Sequence, residues 1–370
     1  MLIFVTIKKT ILIGIITFLL ICTSLIGMCH FYASVPVALI DEELSKVVQQ
    51  SFDTRNKAML EQDLKTMESL YDRSTKYGTW AYEHEVIKMK YLKKWSDKQG
   101  VKFISIKSII KVRRLNKRED GLSGNLAVST EYKYVYEGDP KTVNTFRIGT
   151  YHSLTMIQKE DKWLVTKQWH TDPFADSLKL DEIKTEAIRT HILTQKARDF
   201  SNLNKRRTGA IEYADRYVGA ANEEEYGFVY NKKYRNYNGM GGDCANFASQ
   251  ILHEGGNFRK TYGWNYDRGG ASRSWVNADG FKDYMLGSGR ASVIAYGTYN
   301  KVYKASYKLL PGDFVAYEKK GNVTHISVVT GADSKGYALI NCHNTDRYRV
   351  PWDLGWSDRN IKFWLVRAHF

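Results

Sequence analysis

The sequence predicts an α+β protein in which helices come first and antiparallel strands follow. Three observations carry this. Asp41 to Asp97 is rich in Glu, Lys, Leu and Met, with Gly78 as its interior breaker. Residues 101–169 then change to a period of two with β-branched and aromatic residues. Beyond residue 208, a glycine-rich loop opens an amphipathic helix, and three short apolar strands come later in the chain.

A chain of 370 residues with 26% charged and 43% hydrophobic residues falls in the globular class. It divides into a leader (1–40), an α+β domain (41–175), a helical linker (176–207) and a C-terminal domain (208–370). The formal net charge of +15 favours polyanionic surroundings, such as anionic wall polymers or an acidic membrane surface. No zinc finger, recognition helix or RNA-binding signature is present, which speaks against nucleic acid as partner. Outside the leader only Cys244 and Cys342 remain, too few for a disulfide framework. No nucleotide, flavin or metal motif is found, so neither cofactor nor metal is expected.

In the leader, Lys8 and Lys9 precede an apolar run from Ile11 to Cys29, and no charge follows until Asp41. The run is long enough to span a bilayer. The lysines would hold the N-terminus inside. It reads as a membrane anchor through residues 10–30 or as a signal peptide cleaved near Ala33, Ser34 or Ala38. Both readings export the rest of the chain.

In the first domain, Val47, Val48, Phe52, Leu60, Leu64, Met67 and Leu70 mark one helical stripe, and Trp80, Val86, Ile87, Tyr91 and Trp95 mark another. Strands are expected at 101–115, 126–136, 142–157 and 163–169, with turns at Asp120-Gly121, Gly138-Asp139-Pro140 and Lys159-Glu160-Asp161. Val128, Thr130, Tyr132, Tyr134 and Tyr136 share one face, expected to be half-buried. Helices followed by a meander resemble the ketosteroid-isomerase-like cone folds in pattern. His84, His152 and His170 form no constellation in the sequence, and spacing, binding or regulation is the role expected here.

A charged connecting helix is expected over 176–205, and the run Asn204-Lys205-Arg206-Arg207 reads as a solvated face. Thr208 to Val218 forms a further helix. The centre of the chain is Gly239-Met240-Gly241-Gly242-Asp243-Cys244, followed by Phe247, Ala248, Ile251 and Leu252 at helical spacing up to Gly255-Gly256. Cys244 therefore falls in the first helical turn. Unpaired N–H groups and the helix dipole there favour a thiolate. Aromatic residues including Trp264 and Trp275 fill the loop-rich stretch after it, as cleft wall or as core. Strands follow at 314–317, 323–330 and 337–343. On the second, Val323, His325, Ser327 and Val329 share a face. On the third, Leu339, Asn341 and His343 share one face and Cys342 takes the other.

A cysteine at a helix start, a histidine on a strand and an Asn or His on the next strand make a nucleophile, a base and an orienter. The candidates are Cys244, His325 and Asn341, with His343 as the alternative orienter. Asn246 and Gln250 are candidate oxyanion donors beside the Cys244 N–H. A metal site is disfavoured because Cys342 and His343 point to opposite faces.

Tyr213-Ala214-Asp215-Arg216-Tyr217, Gly242-Asp243-Cys244-Ala245-Asn246-Phe247-Ala248-Ser249-Gln250, Ser274-Trp275-Val276-Asn277, Gly312-Asp313-Phe314-Val315-Ala316-Tyr317, His325-Ile326-Ser327-Val328-Val329 and Asn341-Cys342-His343-Asn344-Thr345-Asp346-Arg347-Tyr348 occur in this order. Together, over about residues 208–370, they resemble the “putative amidase domain” of exported Gram-positive proteins. That family is grouped with the papain-like cysteine hydrolases and is similar in layout to NlpC-type and CHAP cell-wall peptidases. The resemblance implies Cys244 as nucleophile and His325 as base, and it leaves Asn341 and His343 both open as the third residue. Export, a basic surface and this site point to a cell-wall peptide, peptidoglycan above all, as substrate. A non-catalytic binding module on the same fold, or an acyltransferase using the same thiol, are the alternatives.

Overall fold

The computed structural model describes residues 42–174, 185–221, 228–356 and 360–370. The apolar leader, the start of the expected linker helix and Glu223-Glu224-Glu225 lie outside the described residues. Among the described residues no helix is long and apolar enough to cross a membrane. Lys46–Phe370 packs as one compact unit.

Helices open the fold: α1 (Glu42–Glu61), α2 (Leu64–Glu68) and α3 (Lys76–Gln99). The expected single helical stretch is thus interrupted. Gln62 adopts a left-handed φ of 59°, and Asp63 caps α2 by accepting from the N–H groups of Lys65 and Thr66. Thr75 caps α3 by accepting from the N–H of Gly78, so this glycine lies in a first turn. These breaks rotate the stripes. Val48, Phe52, Met59 and Met67 are buried, whereas Leu64 is exposed. On α3 Ala81, Met89, Tyr91, Leu92 and Trp95 turn inward, and Trp80 and Ile87 turn out. Gly100, with φ 67°, ends α3 and feeds the sheet.

The meander β1 (Val101–Lys117), β2 (Gly121–Tyr136), β3 (Asp139–Lys159) and β4 (Lys162–His170) follows, each strand antiparallel to the next. The face carrying Tyr132, Tyr134 and Tyr136 is fully buried rather than half-buried. The reason lies in the other half of the chain: the hydroxyls of Tyr134 and Tyr136 both donate to Asp333 Oδ2, at 2.8 and 2.6 Å.

After α4 (Thr185–Leu193) the chain leaves helical geometry until α5 (Lys205–Arg216). Arg207, expected at a solvated face, is buried. It donates to the Pro311 and Ala368 carbonyls and to Asp313 Oδ1 at 2.9 Å. Next come α6 (Cys244–Gln250), a π turn over Ile251–Gly255, a small hairpin of β5 (Tyr266–Asp267) and β6 (Gly270–Ala271), α7 (Arg273–Val276) and α8 (Ala278–Gly287). The last strands are β7 (Ala291–Thr298), β8 (Phe314–Lys319), β9 (Asn322–Ala332), β10 (Ala338–Cys342), β11 (Arg347–Pro351) and β12 (Ile361–Ala368), with the short α9 (Tyr299–Val302) after β7. The expected strands correspond to β8, β9 and β10, while β7, β11 and β12 were not anticipated.

One ten-stranded sheet runs through both halves in the order β1-β2-β3-β11-β10-β9-β8-β12-β7, with β4 on β3. The junction is β3 against β11, where Ile148 pairs with Arg347 and Arg147 with Tyr348. Lys98 on α3 forms a buried ion pair with Asp353, which also accepts from Tyr337 at 2.8 Å. Helices α5, α6 and α8 cover the C-terminal part of the sheet around a core that includes Ala214, Phe247, Ile251, Trp275, Phe281 and Ile326.

Candidate active site

The loop before Cys244 is shaped by glycine. Gly241 and Gly242 have φ of 105° and 128°. A Cβ on Gly242 would lie 2.3 Å from Asn344 Nδ2. Asn344 in turn accepts from the Asp243 N–H at 2.6 Å. A side chain at residue 242 therefore meets both the wrong backbone region and an occupied neighbour. Gly242→Ala is expected to cost about 1–3 kcal/mol and to displace the Cys244 loop, a loss visible in thermal unfolding.

Cys244 opens α6 and is buried in the core. The main-chain N–H groups of Ile326 and Ala245 point at its sulfur and favour the thiolate, but burial dominates and pushes the thiol up to about 12. The helix start alone would lower it, and here desolvation wins. At neutral pH the resting group is a thiol. Alkylation of Cys244 by iodoacetamide, followed by peptide mass spectrometry, should accordingly keep rising from pH 6 through pH 9. A plateau near pH 6 would mean a pre-formed thiolate.

The residue before it, Asp243, is fully enclosed. Oδ1 accepts from the Tyr237 N–H and from Asn246 Nδ2, and Oδ2 meets His343 Nδ1 at 2.5 Å. His343 Nε2 meets the Tyr217 carbonyl at 2.9 Å. Both partners are acceptors, so both ring nitrogens carry protons and His343 is an imidazolium. Its pKa agrees: burial lowers it, but the Asp243 carboxylate and the other acceptors raise it further. The ring also stacks on Phe247 at 3.8 Å. His343 has no lone pair to offer a thiol.

His325 is different. It lies on β9 opposite Tyr317 of β8. A bulge at residue 324 puts both Val323 and Ile326 into the core beside Cys244, so Val323 does not share the face of His325 as simple alternation expects. The imidazole stacks against Trp356 at 4.9 Å and lies 5.5 Å from the Tyr317 ring. Burial, with Arg347 adding to it, holds its pKa well below the ordinary histidine value, so the ring is neutral. Among the described residues its Nε2 has no hydrogen-bond partner. A buried neutral imidazole with one unpaired nitrogen has a lone pair with which to accept a proton. The thiol is not bonded to that nitrogen in this resting arrangement. The sulfur instead lies against the N–H of the next residue, Ile326.

Asn341 is held elsewhere. Its Oδ1 accepts from Thr330 and from the Arg349 N–H, and its Nδ2 donates to Asp215 at 2.8 Å. Asn246 accepts from Trp275 Nε1, Gln250 accepts from Tyr213, and Trp264 Nε1 donates to Ser249. Asn246, Gln250, Trp264 and Trp275 are thus buried and engaged within the fold that supports α6.

A cavity of about 390 Å³ opens beside this machinery. Gly241, Gly242, His325, Arg347 and Trp356 line one side. Tyr151, Thr171, Asp172 and Pro173 of the N-terminal half line the other. Tyr151 meets the Tyr230 hydroxyl at 2.6 Å, and Tyr230 donates to Asp346. Burial pushes that carboxyl up to about 6 against the pull of His343 and Tyr230. The contribution of the meander to this cavity was not legible in the sequence, because residues 151 and 171–173 carry no motif. The Asp243–His343 pair had one available signal, the acidic residue adjoining the cysteine.

Residues 204–366 match the family model described as “Putative amidase domain”. The matched segment contains Cys244, His325 and the glycine loop. Similar curated proteins are two from Bacillus subtilis (strain 168). “Uncharacterized protein YhbB” is 28% identical over 153 residues, 40% of this chain and 43% of that protein. “Uncharacterized protein YjcM” is 31% identical over 145 residues, 36% of this chain and 32% of that protein. The chain therefore spans less than half the length of these relatives. No solved structure matches it.

Proposed function

We propose that the protein is an exported, cysteine-dependent amide hydrolase acting on cell-wall peptides. The observation that carries this reading is the neutral His325, whose side chain lines a cavity rimmed by the glycine loop leading into Cys244. In the reaction, the thiol of Cys244 attacks the amide carbonyl as its proton passes to the His325 imidazole. The Sγ–C bond forms, and N–H groups at the start of α6 hold the oxyanion. The C–N bond breaks as His325 returns the proton to the departing amine. Water, deprotonated by the same imidazole, then releases the acyl group and restores the thiol. His343, fixed as a cation by Asp243, positions the loop electrostatically and exchanges no proton.

The basic balance of the chain and its apolar leader support an extracellular substrate with anionic surroundings. The test is mass spectrometry of soluble peptidoglycan fragments after incubation with the full-length protein. New fragments absent with Cys244→Ala support the reading and identify the bond. A second reading, a binding module on this fold, is favoured by the deep burial of the thiol. Retention of the fragments without any cleavage would select it.

A further inference from the structure

A second cavity, of about 590 Å³, lies on the N-terminal half between α3 and β4. Its walls include Tyr77, Trp80 and Trp169, which are 52%, 53% and 62% exposed. Such side chains are ordinarily covered, and their gathering around one concavity marks a binding surface. The polar part of the lining includes His84, Gln168 and Asp172, with His84 Nε2 meeting Asp172 Oδ2 at 2.5 Å. Lys76 and Lys167 place ammonium groups over the Trp80 and Tyr77 rings, at 4.6 and 5.1 Å. Flat aromatic faces beside donors and acceptors suit a pyranose ring. Such a ring offers an apolar C–H face to an indole and hydroxyls to amide, imidazole and carboxylate groups.

His84, His170 and Asp172 also bring ligand atoms within 4.8 Å of one another, in the manner of a metal site. However, His170 Nε2 is already engaged with Lys88 Nζ at 3.1 Å, and His84 Nε2 with Asp172, so neither nitrogen is open to a metal.

We propose that this cavity is a glycan subsite that holds a pyranose-based saccharide by stacking on Trp169, with Trp80, one face of which Lys76 covers, forming the facing wall. Thr171 and Asp172 line both this cavity and the one containing His325, so the two lie on either side of one short segment. A glycan-linked peptide would place its sugar on the aromatic side and its amide on the histidine side. This pairing rests on the hydrolase reading, while the saccharide pocket itself stands without it.

The experiment titrates the full-length Cys244→Ala protein with N-acetylglucosamine tetramer, read by tryptophan fluorescence and by calorimetry. Saturable binding is expected. Trp169→Ala and Trp80→Ala, each at an exposed position, should retain the wild-type melting temperature and weaken binding about tenfold or more. Absence of saturable binding, or binding unchanged by both substitutions, overturns the proposal. Competition by a soluble stem peptide lacking sugar, at equal potency, would also overturn it. Because the readout is binding by a protein without its thiol, failure of the glycan subsite is distinguishable from failure of the hydrolase reading.

Discussion

Replacing His325 with alanine is expected to lower amide hydrolysis by at least about ten-thousandfold, since members of a nucleophile–base unit fail together. Removing the buried ring that stacks on Trp356 should also lower the melting temperature, so rates are compared well below the melt of the variant. Of the two candidate histidines, His343 has no nitrogen able to accept a proton, whereas neutral His325 has one. His343 donates from both nitrogens, to Asp243 and to the Tyr217 carbonyl. His343→Ala should therefore behave as a structural lesion, unfolding at lower temperature as the buried Asp243 loses its cationic partner. Steady-state rates and thermal melts of the two variants separate the roles. Near-wild-type turnover by His325→Ala would refute the assignment of the base.

The second large effect concerns the union of the two halves. Asp353→Leu is expected to destabilise the protein by about 3–5 kcal/mol, the usual consequence of removing one partner from a buried ion pair. Lys98 and Asp353 are 2% and 1% exposed, and the Lys98 ammonium also lies over the Tyr299 ring at 4.1 Å. Burial lowers the Lys98 pKa and the Asp353 carboxylate opposes it, so loss of the carboxylate leaves a charge that the interior expels. The double variant Lys98→Met with Asp353→Leu should recover most of the loss. Urea unfolding measures both. A loss under about 1 kcal/mol for the single variant would mean that the pair is solvated in solution.

The helix that begins at Cys244 and the strands β8, β9 and β10 were legible because glycine punctuation and a period of two leave local marks. Other features were not. Strand β12 and its partner β7 close the sheet with long-range pairing, and β7 lies in a stretch whose aromatic content reads as loop. The joining of β3 to β11 depends on residues almost two hundred positions apart and leaves no local pattern. Helix stripes on α1 and α3 rotated because Asp63 and Thr75 act as caps inside what reads as one continuous helix. The site was legible as residue types and order. Its charge states were not, because the protonated thiol of Cys244 and the cationic ring of His343 follow from burial and from partners distant in sequence.

The most direct test of the central claim is acid-quench mass spectrometry of the full-length protein mixed with peptidoglycan fragments. The account predicts a transient acyl adduct on the peptide containing Cys244, with release of the amine fragment, and neither adduct nor cleavage with Cys244→Ala. Cleavage by Cys244→Ala at the wild-type rate would contradict it.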